Sequence, residues 1–139
     1  MAINTQFPIA VHLMAALGCR CGQDTTSAEL AMSVNTSPSF VRRILAKLSK
    51  AGLVETVTGK GGKCWLARNP KGISLLDIYR AVDAPGVFSI HDYVEQKSCY
   101  VSCRIKGALE NARATTQQAL ELSLSQISLA QVVAEVEKN

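Results

Sequence analysis

Residues 35–68 constrain the fold of this chain more than any other segment. A turn ends in Ser37-Pro38, which are a good N-cap and a good first residue for a helix. Along that helix the apolar residues share one stripe, the basic residues lie on the other side, and Gly52 ends it. Two strand-like runs follow, joined by the glycine-rich basic loop 59–63. The segment therefore predicts a two-faced basic helix followed directly by a β-hairpin.

The residues before this segment predict two further helices. Residues 5–17 form an apolar helix with Pro8 in its first turn, and Gly18 is expected to end it. Thr26 and Glu29 have the spacing of a capping box, which predicts the start of a short second helix. Helix, short helix, turn, basic helix and hairpin, in that order, predict a mainly α fold with a small β-hairpin, namely a winged helix-turn-helix.

Positive charge is concentrated in the same part of the chain. Residues 38–72 hold eight basic residues and one acidic residue, a net charge of +7, whereas the whole chain carries only +4. Such a stretch is typical of a surface that contacts phosphates, although a solvated basic face without a partner gives the same count. Because a major groove admits an α-helix, the fold favours a DNA-binding surface. The predicted contacts are Ser37, Ser39, Arg42, Arg43 and Lys47 on the basic helix, and Lys60 and Lys63 on the wing.

The second half of the chain predicts an element for oligomerisation. Residues 73–82 have the pattern of a short amphipathic helix, and residues 83–102 keep no regular period. Residues 104–125 predict a long helix, because apolar and small residues recur near every three and a half residues. This seam fits a homodimer, with packing inside the chain as the alternative. Its members are Ile105, Leu109, Ala112, Thr116, Ala119 and Leu120.

The length of 139 residues suits one small domain with an attached dimerisation element. We predict a DNA-binding domain over residues 1–83, a sensor loop over 84–103, and a dimerisation helix followed by a C-terminal helix over 104–139. The sequence contains no run of about 18 apolar residues, so it predicts no membrane-spanning helix. The N-terminal residues lack the positively charged region of a secretory signal. The expected location is the cytoplasm.

At this point the motifs indicate a family. The chain resembles the Rrf-two family of bacterial transcription regulators over essentially its whole length. The resemblance implies a homodimeric, sequence-specific regulator of an operator in double-stranded DNA, usually a repressor, that senses redox state, an iron–sulfur cluster or a metabolite. The motifs that carry it are residues 4–17, Ala28-Glu29-Leu30-Ala31, Ser39-Phe40-Val41-Arg42-Arg43-Ile44-Leu45, Lys50-Ala51-Gly52-Leu53-Val54, Gly59-Lys60-Gly61-Gly62, Leu66-Ala67-Arg68 and Ile78-Tyr79-Arg80-Ala81-Val82-Asp83.

The sensor loop departs from the cluster-binding pattern of that family. Sensing members carry three cysteines before the long helix. Here Cys103 matches the last of them, His91 falls near the first, and Lys97 stands near the middle position. A cluster is usually held by four thiolates, so two cysteines and a histidine are a poor donor set. We therefore expect no cofactor, and a cluster-sensing regulator remains the alternative.

A thiol switch is the preferred interpretation of this loop. The start of the long helix and the neighbouring Arg104 and Lys106 favour a thiolate at Cys103, and Cys99 is a nearby resolving thiol. A small electrophile or an oxidant would then be the signal. The alternatives are that both cysteines only pack, or that a metabolite or a partner protein regulates the module.

The other cysteines and histidines predict no further chemistry. Cys19 and Cys21 have C-x-C spacing but no matching second pair for zinc, and Cys64 lies in a predicted wing strand. His12 is expected to be a core or interface residue. The chain lacks a C-x-x-C motif, a Cys/His dyad at persuasive spacing and a nucleotide loop, so we expect no enzyme. The roles of these three cysteines, the operator and the direction of control stay open.

Overall fold

A computed structural model describes residues 4–19, 25–57 and 62–138. The chain divides into two compact units, one made of Met1–Ala84 with Leu124–Asn139 and the other of Pro85–Ser123. Helices and a small antiparallel sheet dominate the described residues, which confirms the predicted fold class. The helices are α1 (Gln6–Cys19), α2 (Ser27–Val34), α3 (Pro38–Lys50), α4 (Leu75–Ala81), α5 (Tyr100–Ser125) and α6 (Leu129–Glu137), and the strands are β1 (Thr25–Thr26), β2 (Val54–Thr56) and β3 (Lys63–Leu66).

Local hydrogen bonds fix the turn between α2 and α3. The Thr26 hydroxyl accepts from the Glu29 amide at 3.1 Å and caps α2. Asn35 ends α2 in the left-handed conformation, at φ 64° and ψ 53°. The Ser37 hydroxyl then accepts from the Phe40 amide at 3.2 Å and caps α3. These contacts agree with the starts predicted for both helices, and they orient α3 relative to α2.

The sheet has three strands in the order β1-β3-β2, all antiparallel. Its central strand pairs Cys64 with Thr25 on one side and with Thr56 on the other. The predicted hairpin is therefore present, and beyond the paired strand residues the Val57 amide donates to the Lys63 carbonyl at 2.9 Å. The third strand, β1, was not predicted. A strand of two residues has no sequence pattern of its own and is recognised only by its hydrogen bonds to the neighbouring strand.

The C-terminal helix packs on α1, in the same unit as the winged helix. Leu129 of α6 is fully buried, and its amide donates to the Ile73 carbonyl at 2.8 Å. The prediction grouped α5 and α6 in one segment, residues 104–139. The structure instead places α6 in the unit of Met1–Ala84, because α1 covers the apolar face of α6. The prediction that Gly18 ends α1 is wrong. The helix continues to Cys19, and Gly18 leaves space for Val133, whose methyl carbon would lie 2.7 Å from an added Cβ.

The second unit contains the loop before α5 and most of that helix. α5 begins at Tyr100, four residues before the predicted start, and ends at Ser125 as expected. In the loop, the Val87 amide donates to the Gln117 side chain at 3.0 Å and the Gln96 amide donates to the Ser102 hydroxyl at 2.9 Å. No side chain of α5 is buried within the chain. None of the described helices has the length and apolar character to cross a membrane.

Candidate nucleic-acid interface

The outer face of α3 carries three of the predicted contact residues. Ser39, Arg42 and Arg43 are exposed, whereas the inner face buries Val41, Ile44, Leu45 and Leu48 in the core. The Arg43 guanidinium lies 5.2 Å from the centre of the Phe40 ring, a cation–π distance that limits the freedom of the arginine. α3 thus exposes a polar, cationic face, and the packing of its inner face in the core holds the helix in place.

Ser37 has a structural role at the start of α3. Its hydroxyl oxygen accepts the Phe40 amide, so one acceptor position serves the cap. The side chain is exposed and its O–H remains a donor. Pro38 has no N–H, and the Phe40 and Val41 amides both donate to Ser37, so a phosphate near the start of α3 would meet this hydroxyl and the Ser39 amide.

Lys47 is engaged with α1, unlike the other predicted contacts on α3. Its ammonium donates to the Gln6 side-chain oxygen at 2.8 Å, and the lysine is half-buried. Binding a phosphate would therefore require Lys47 to give up or share this bond. Sequence reasoning missed Gln6, because nothing local signals a bond between residues 41 positions apart.

The wing contributes a basic residue where it meets the sheet. Lys63 is exposed at the first position of β3, opposite Thr26 of β1. On the same face of the hairpin as Lys63, the Trp65 indole donates to the Glu55 carboxylate at 2.9 Å and ties the two wing strands together. Lys60, the other predicted wing contact, lies outside the described residues, together with most of the glycine-rich loop.

Cys64 lies under the wing with its thiol buried. The residue is 1% exposed, and its thiol donates to the Thr25 carbonyl at 3.2 Å. Burial, followed by the charge of Glu29, raises the pKa of Cys64 to about 11. The thiolate is therefore scarce at neutral pH, and this cysteine is a packing residue in the folded protein.

The two cysteines of the predicted switch flank the first turn of α5. Both are exposed. The Ser102 amide donates to the Cys99 sulfur at 3.5 Å, and the Cys103 thiol donates to the Gln96 carbonyl at 3.6 Å. The Cys103 amide also donates to the Cys99 carbonyl at 3.2 Å, so the pair is linked by helical backbone geometry. One turn of helix thus brings the predicted thiols to the same end of α5.

The remaining candidate residues lie apart from this pair. His12 is exposed and its ring Nε2 lies 3.0 Å from the Ser33 hydroxyl, so it is not a core residue, and a place at an interface stays a prediction. His91 stacks on the Tyr93 ring, with 5.0 Å between ring centres. Cys19 is exposed, and partial desolvation followed by the neighbouring Glu137 raises its pKa. Cys21 lies outside the described residues.

Comparison with known proteins identifies the family. A family model described as "Rrf2: Iron-dependent Transcriptional regulator" matches residues 3–135, nearly the whole chain. The chain belongs to the Rrf2 family. As a member of the Rrf2 family it is a DNA-binding transcriptional regulator and not an enzyme, which confirms both expectations.

Individual relatives cover the Rrf2 chain from end to end. YwnA of Bacillus subtilis strain 168, named as an HTH-type transcriptional regulator, is 34% identical over 132 residues, which cover 94% of this chain and 96% of that protein. The structure of T. potens IscR superposes with a TM-score of 0.71 at 24% identity, covering 99% of this chain and 89% of that one. CymR (YrzC), titled the global cysteine regulator of B. subtilis, gives a TM-score of 0.70 at 20% identity over 97% and 98% of the chains.

Iron-dependent regulation, which the Rrf2 family description names, needs side chains that can hold iron. Among residues 4–19, 25–57 and 62–138, no three His, Cys, Asp or Glu side chains come together in a way that could hold a metal ion. The sensor loop offers two thiols on one helical turn, and the nearby His91 is stacked on Tyr93. An iron–sulfur cluster is usually held by four thiolates, so these residues of one chain do not fit a cluster.

Proposed function

We propose that this Rrf2-family regulator is a homodimeric repressor that binds a specific operator in double-stranded DNA in the cytoplasm. The observation that carries the proposal is the exposed face of α3, where Ser39, Arg42 and Arg43 stand opposite a fully packed apolar face. A buried inner face fixes the helix against the core. The outer face therefore keeps its shape when the helix enters a major groove.

The two arginines have different surroundings, which predicts different roles. Arg43 is stacked over the Phe40 ring, and this contact presets its direction. A guanidinium with a preset direction suits the bidentate recognition of a guanine edge. No hydrogen bond or ion pair between described residues holds Arg42, which suits a phosphate contact with a less strict geometry.

Salt-dependent DNA binding tests these roles. We would recover an operator-like duplex from a random-sequence pool by in vitro selection, and measure binding by fluorescence anisotropy across salt concentrations. For Arg43→Ala we expect weaker binding by roughly 5- to 150-fold together with relaxed base preference at one position. For Arg42→Ala we expect the slope of log K against log salt to fall by about one, with base preference kept.

Lys71→Ala is the matched control for both variants. Lys71 is an exposed cation outside α3 and the wing, in the short turn Pro70–Gly72. The control should leave affinity, slope and base preference close to wild type. Equal losses in all three variants would mean that only net charge matters, and would refute the assignment to α3.

Dimerisation through α5 is the second part of the proposal. α5 has 26 residues, so it is about 39 Å long, and none of its side chains is buried within the chain. Outside the proposed seam, Tyr100, Val101 and Leu122 are at least half exposed, and within it Ile105, Leu109 and Leu120 are half-buried. A helix of this length with uncovered apolar residues is stabilised when a second copy packs against it.

Sedimentation equilibrium tests the dimer. Leu109→Arg places a charge in the proposed seam, and we expect a shift from dimer to monomer. Glu110→Arg, at the adjacent exposed position, is the matched control and should stay dimeric. A wild-type protein that is monomeric at micromolar concentration, or a Leu109→Arg variant that dimerises like the control, would contradict the proposed seam.

Control by thiol oxidation is the third part. Peroxide oxidises the Cys103 thiolate to sulfenate and is itself reduced to water. The Cys99 thiol then attacks the sulfenic sulfur, a disulfide forms and a second water leaves. Side chains four apart on a helix have Cβ atoms about 5–6 Å apart, whereas a disulfide needs about 3.5–4.5 Å. Cys99 directly precedes α5 and its carbonyl accepts the Cys103 amide of the first turn, so we expect formation of the disulfide to disrupt this turn.

Mass spectrometry combined with the DNA assay tests this control. After stoichiometric peroxide treatment we expect an intramolecular Cys99–Cys103 disulfide, a loss of two mass units, and a change in operator affinity that a thiol reductant reverses. Cys103→Ser should abolish both the bond and the change, and Cys64→Ser is the control that keeps both. Full formation of the disulfide with unchanged affinity would refute thiol control.

A further inference from the structure

A cavity lies between α3 and the wing strands, beside the proposed DNA-binding face. Its volume is about 320 Å³, within the range of small-molecule sites. Most of the wall formed by the described residues is apolar, and the cation among these residues is Arg42. The lining residues are Ser27, Arg42, Leu45, Ala46, Thr56, Val57, Gly62 and Cys64.

The floor of the cavity is the face of the sheet that carries Cys64. Residues directly opposite in an antiparallel sheet point to the same face, so Thr25, Cys64 and Thr56 form a row across β1, β3 and β2. The Thr25 hydroxyl in this row is fully buried and has no hydrogen-bond partner among the described residues. A buried hydroxyl without a partner costs free energy until a polar atom bonds to it. Thr25 does not itself line the cavity, so its hydroxyl lies behind the floor, and the accessible polar group of the proposed site is Arg42.

The charge at the cavity selects one class of ligand. No hydrogen bond or ion pair between described residues occupies the Arg42 guanidinium, and the carboxylate of Glu29, which influences Cys64, is not part of the lining. A guanidinium binds carboxylates through charge-assisted hydrogen bonds. The apolar wall suits the body of the same molecule.

We propose that this cavity binds a small organic anion with an apolar body, whose carboxylate pairs with Arg42. This proposal rests on DNA binding through α3, because the same arginine is a proposed phosphate contact. The carboxylate of the bound ligand neutralises Arg42, and its apolar body occupies the cavity between α3 and the wing strands. The ligand and the DNA therefore compete, and the ligand acts as an inducer of the proposed repressor.

Titration of the DNA-free protein tests the site by itself. The probes are benzoate, phenylacetate and isovalerate, and their controls are the amides of the same shape: benzamide, phenylacetamide and isovaleramide. Chemical shifts of backbone amides are followed by NMR. We expect at least one carboxylate to shift the signals of Thr56, Val57 and Cys64, and its amide to bind at least about tenfold more weakly.

Variants separate this site from general electrostatic attraction. Arg42→Gln should weaken carboxylate binding by at least about tenfold, and Ala46→Leu should weaken both carboxylate and amide by filling the cavity. Arg43→Gln removes the same charge from the neighbouring residue, which does not line the cavity, and should bind like wild type. The site is refuted when no carboxylate shifts the cavity signals, when an amide binds as well as its acid, or when both arginine variants lose affinity equally.

A second measurement separates this inference from the function on which it rests. The carboxylate that binds best is added to wild-type protein on the selected duplex, and we expect DNA affinity to fall as the cavity fills. If a ligand occupies the cavity without weakening DNA binding, the proposed competition is refuted, but the proposal of a binding site stands. A protein that binds no duplex at all would refute the proposed function, and the titration without DNA would still decide the site.

Discussion

Gly18 provides a sharp test of how α6 is held on α1. A Cβ added at this position would lie 2.7 Å from the Val133 methyl carbon Cγ2, and 3.8 Å from the nearest carbon of Leu66. Carbon atoms in contact are normally about 3.5–4.0 Å apart, so the new methyl group is about 1 Å too close to Val133 alone. Valine is stiff at χ1 and cannot simply turn away. Gly18→Ala must therefore shift α6 or strain Val133.

The net cost follows from two opposed effects. Overpacking a filled site costs about 1–3 kcal/mol, and replacing glycine by alanine within a helix gains up to about 1 kcal/mol. Because Gly18 is the residue before the last in α1, the gain is at the lower end. We expect Gly18→Ala to lower the free energy of unfolding by about 1–2 kcal/mol.

A double-mutant cycle with Val133→Ala isolates the contact. Alanine at position 133 removes the Cγ2 atom and leaves the Cβ atom 3.9 Å from the added methyl group, an ordinary contact distance. In this background Gly18→Ala should be neutral or slightly stabilising, so the coupling energy should be about 1–3 kcal/mol. The measurement is urea denaturation at one fixed protein concentration, since a dimer makes the midpoint depend on concentration.

Gly72→Ala is the matched control, because an added Cβ there meets no atom within 4 Å. It should change stability by no more than about 0.5 kcal/mol. The reasoning fails if Gly18→Ala is as stable as wild type, or if its cost is the same with valine and with alanine at position 133.

Other perturbations follow from caps, backbone conformation and burial. Ser128→Ala removes the capping hydroxyl that accepts from Gln131 at 3.1 Å and should cost about 1 kcal/mol in urea denaturation, with Ser128→Asp as a control that keeps an acceptor. Asn35 has φ 64°, so Asn35→Val should cost about 1–2 kcal/mol, whereas Asn35→Gly should cost little. Burial raises the pKa of Cys64 from 9.0 to about 11, which favours the protonated thiol in the folded state. The stability from this group is complete below pH 9.0 and is lost as the pH rises toward 11, by at most about 1.4 kcal/mol per pH unit. The difference in unfolding free energy between wild type and Cys64→Ala should therefore shrink over this interval, and a constant difference would contradict the burial.

The sequence predicts what local chemistry controls. Thr26, Ser37 and Ser128 each cap a helix within three residues of their own position, so their hydroxyls mark helix starts without any knowledge of the tertiary fold. The same holds for the two-faced pattern of α3. Both are properties of contiguous residues, which is why the winged helix-turn-helix could be predicted from them.

Contacts between distant segments could not be predicted in this way. Gly18 has the residue type of a helix end, but its role is to let Val133 approach, and that depends on where α6 packs. Lys47 shares the exposed pattern of its helix, and its bond to Gln6 depends on the position of α1. The cavity beside Arg42 also requires α3 to pack next to the paired strands β2 and β3. Each of these features is set by packing rather than by neighbouring sequence.

The position of α6 has a consequence for the order of events during synthesis. Leu129 is fully buried in the core of the unit made of Met1–Ala84 with Leu124–Asn139, the proposed DNA-binding unit, although Pro85–Ser123 lie between it and most of that unit along the chain. A nascent chain that ends before α6 leaves the face of α1 that packs on α6 uncovered and the core without Leu129. The ribosome has therefore made all of α5 before the DNA-binding unit can close. A growing chain that lacks α5 cannot reach the fully folded DNA-binding form.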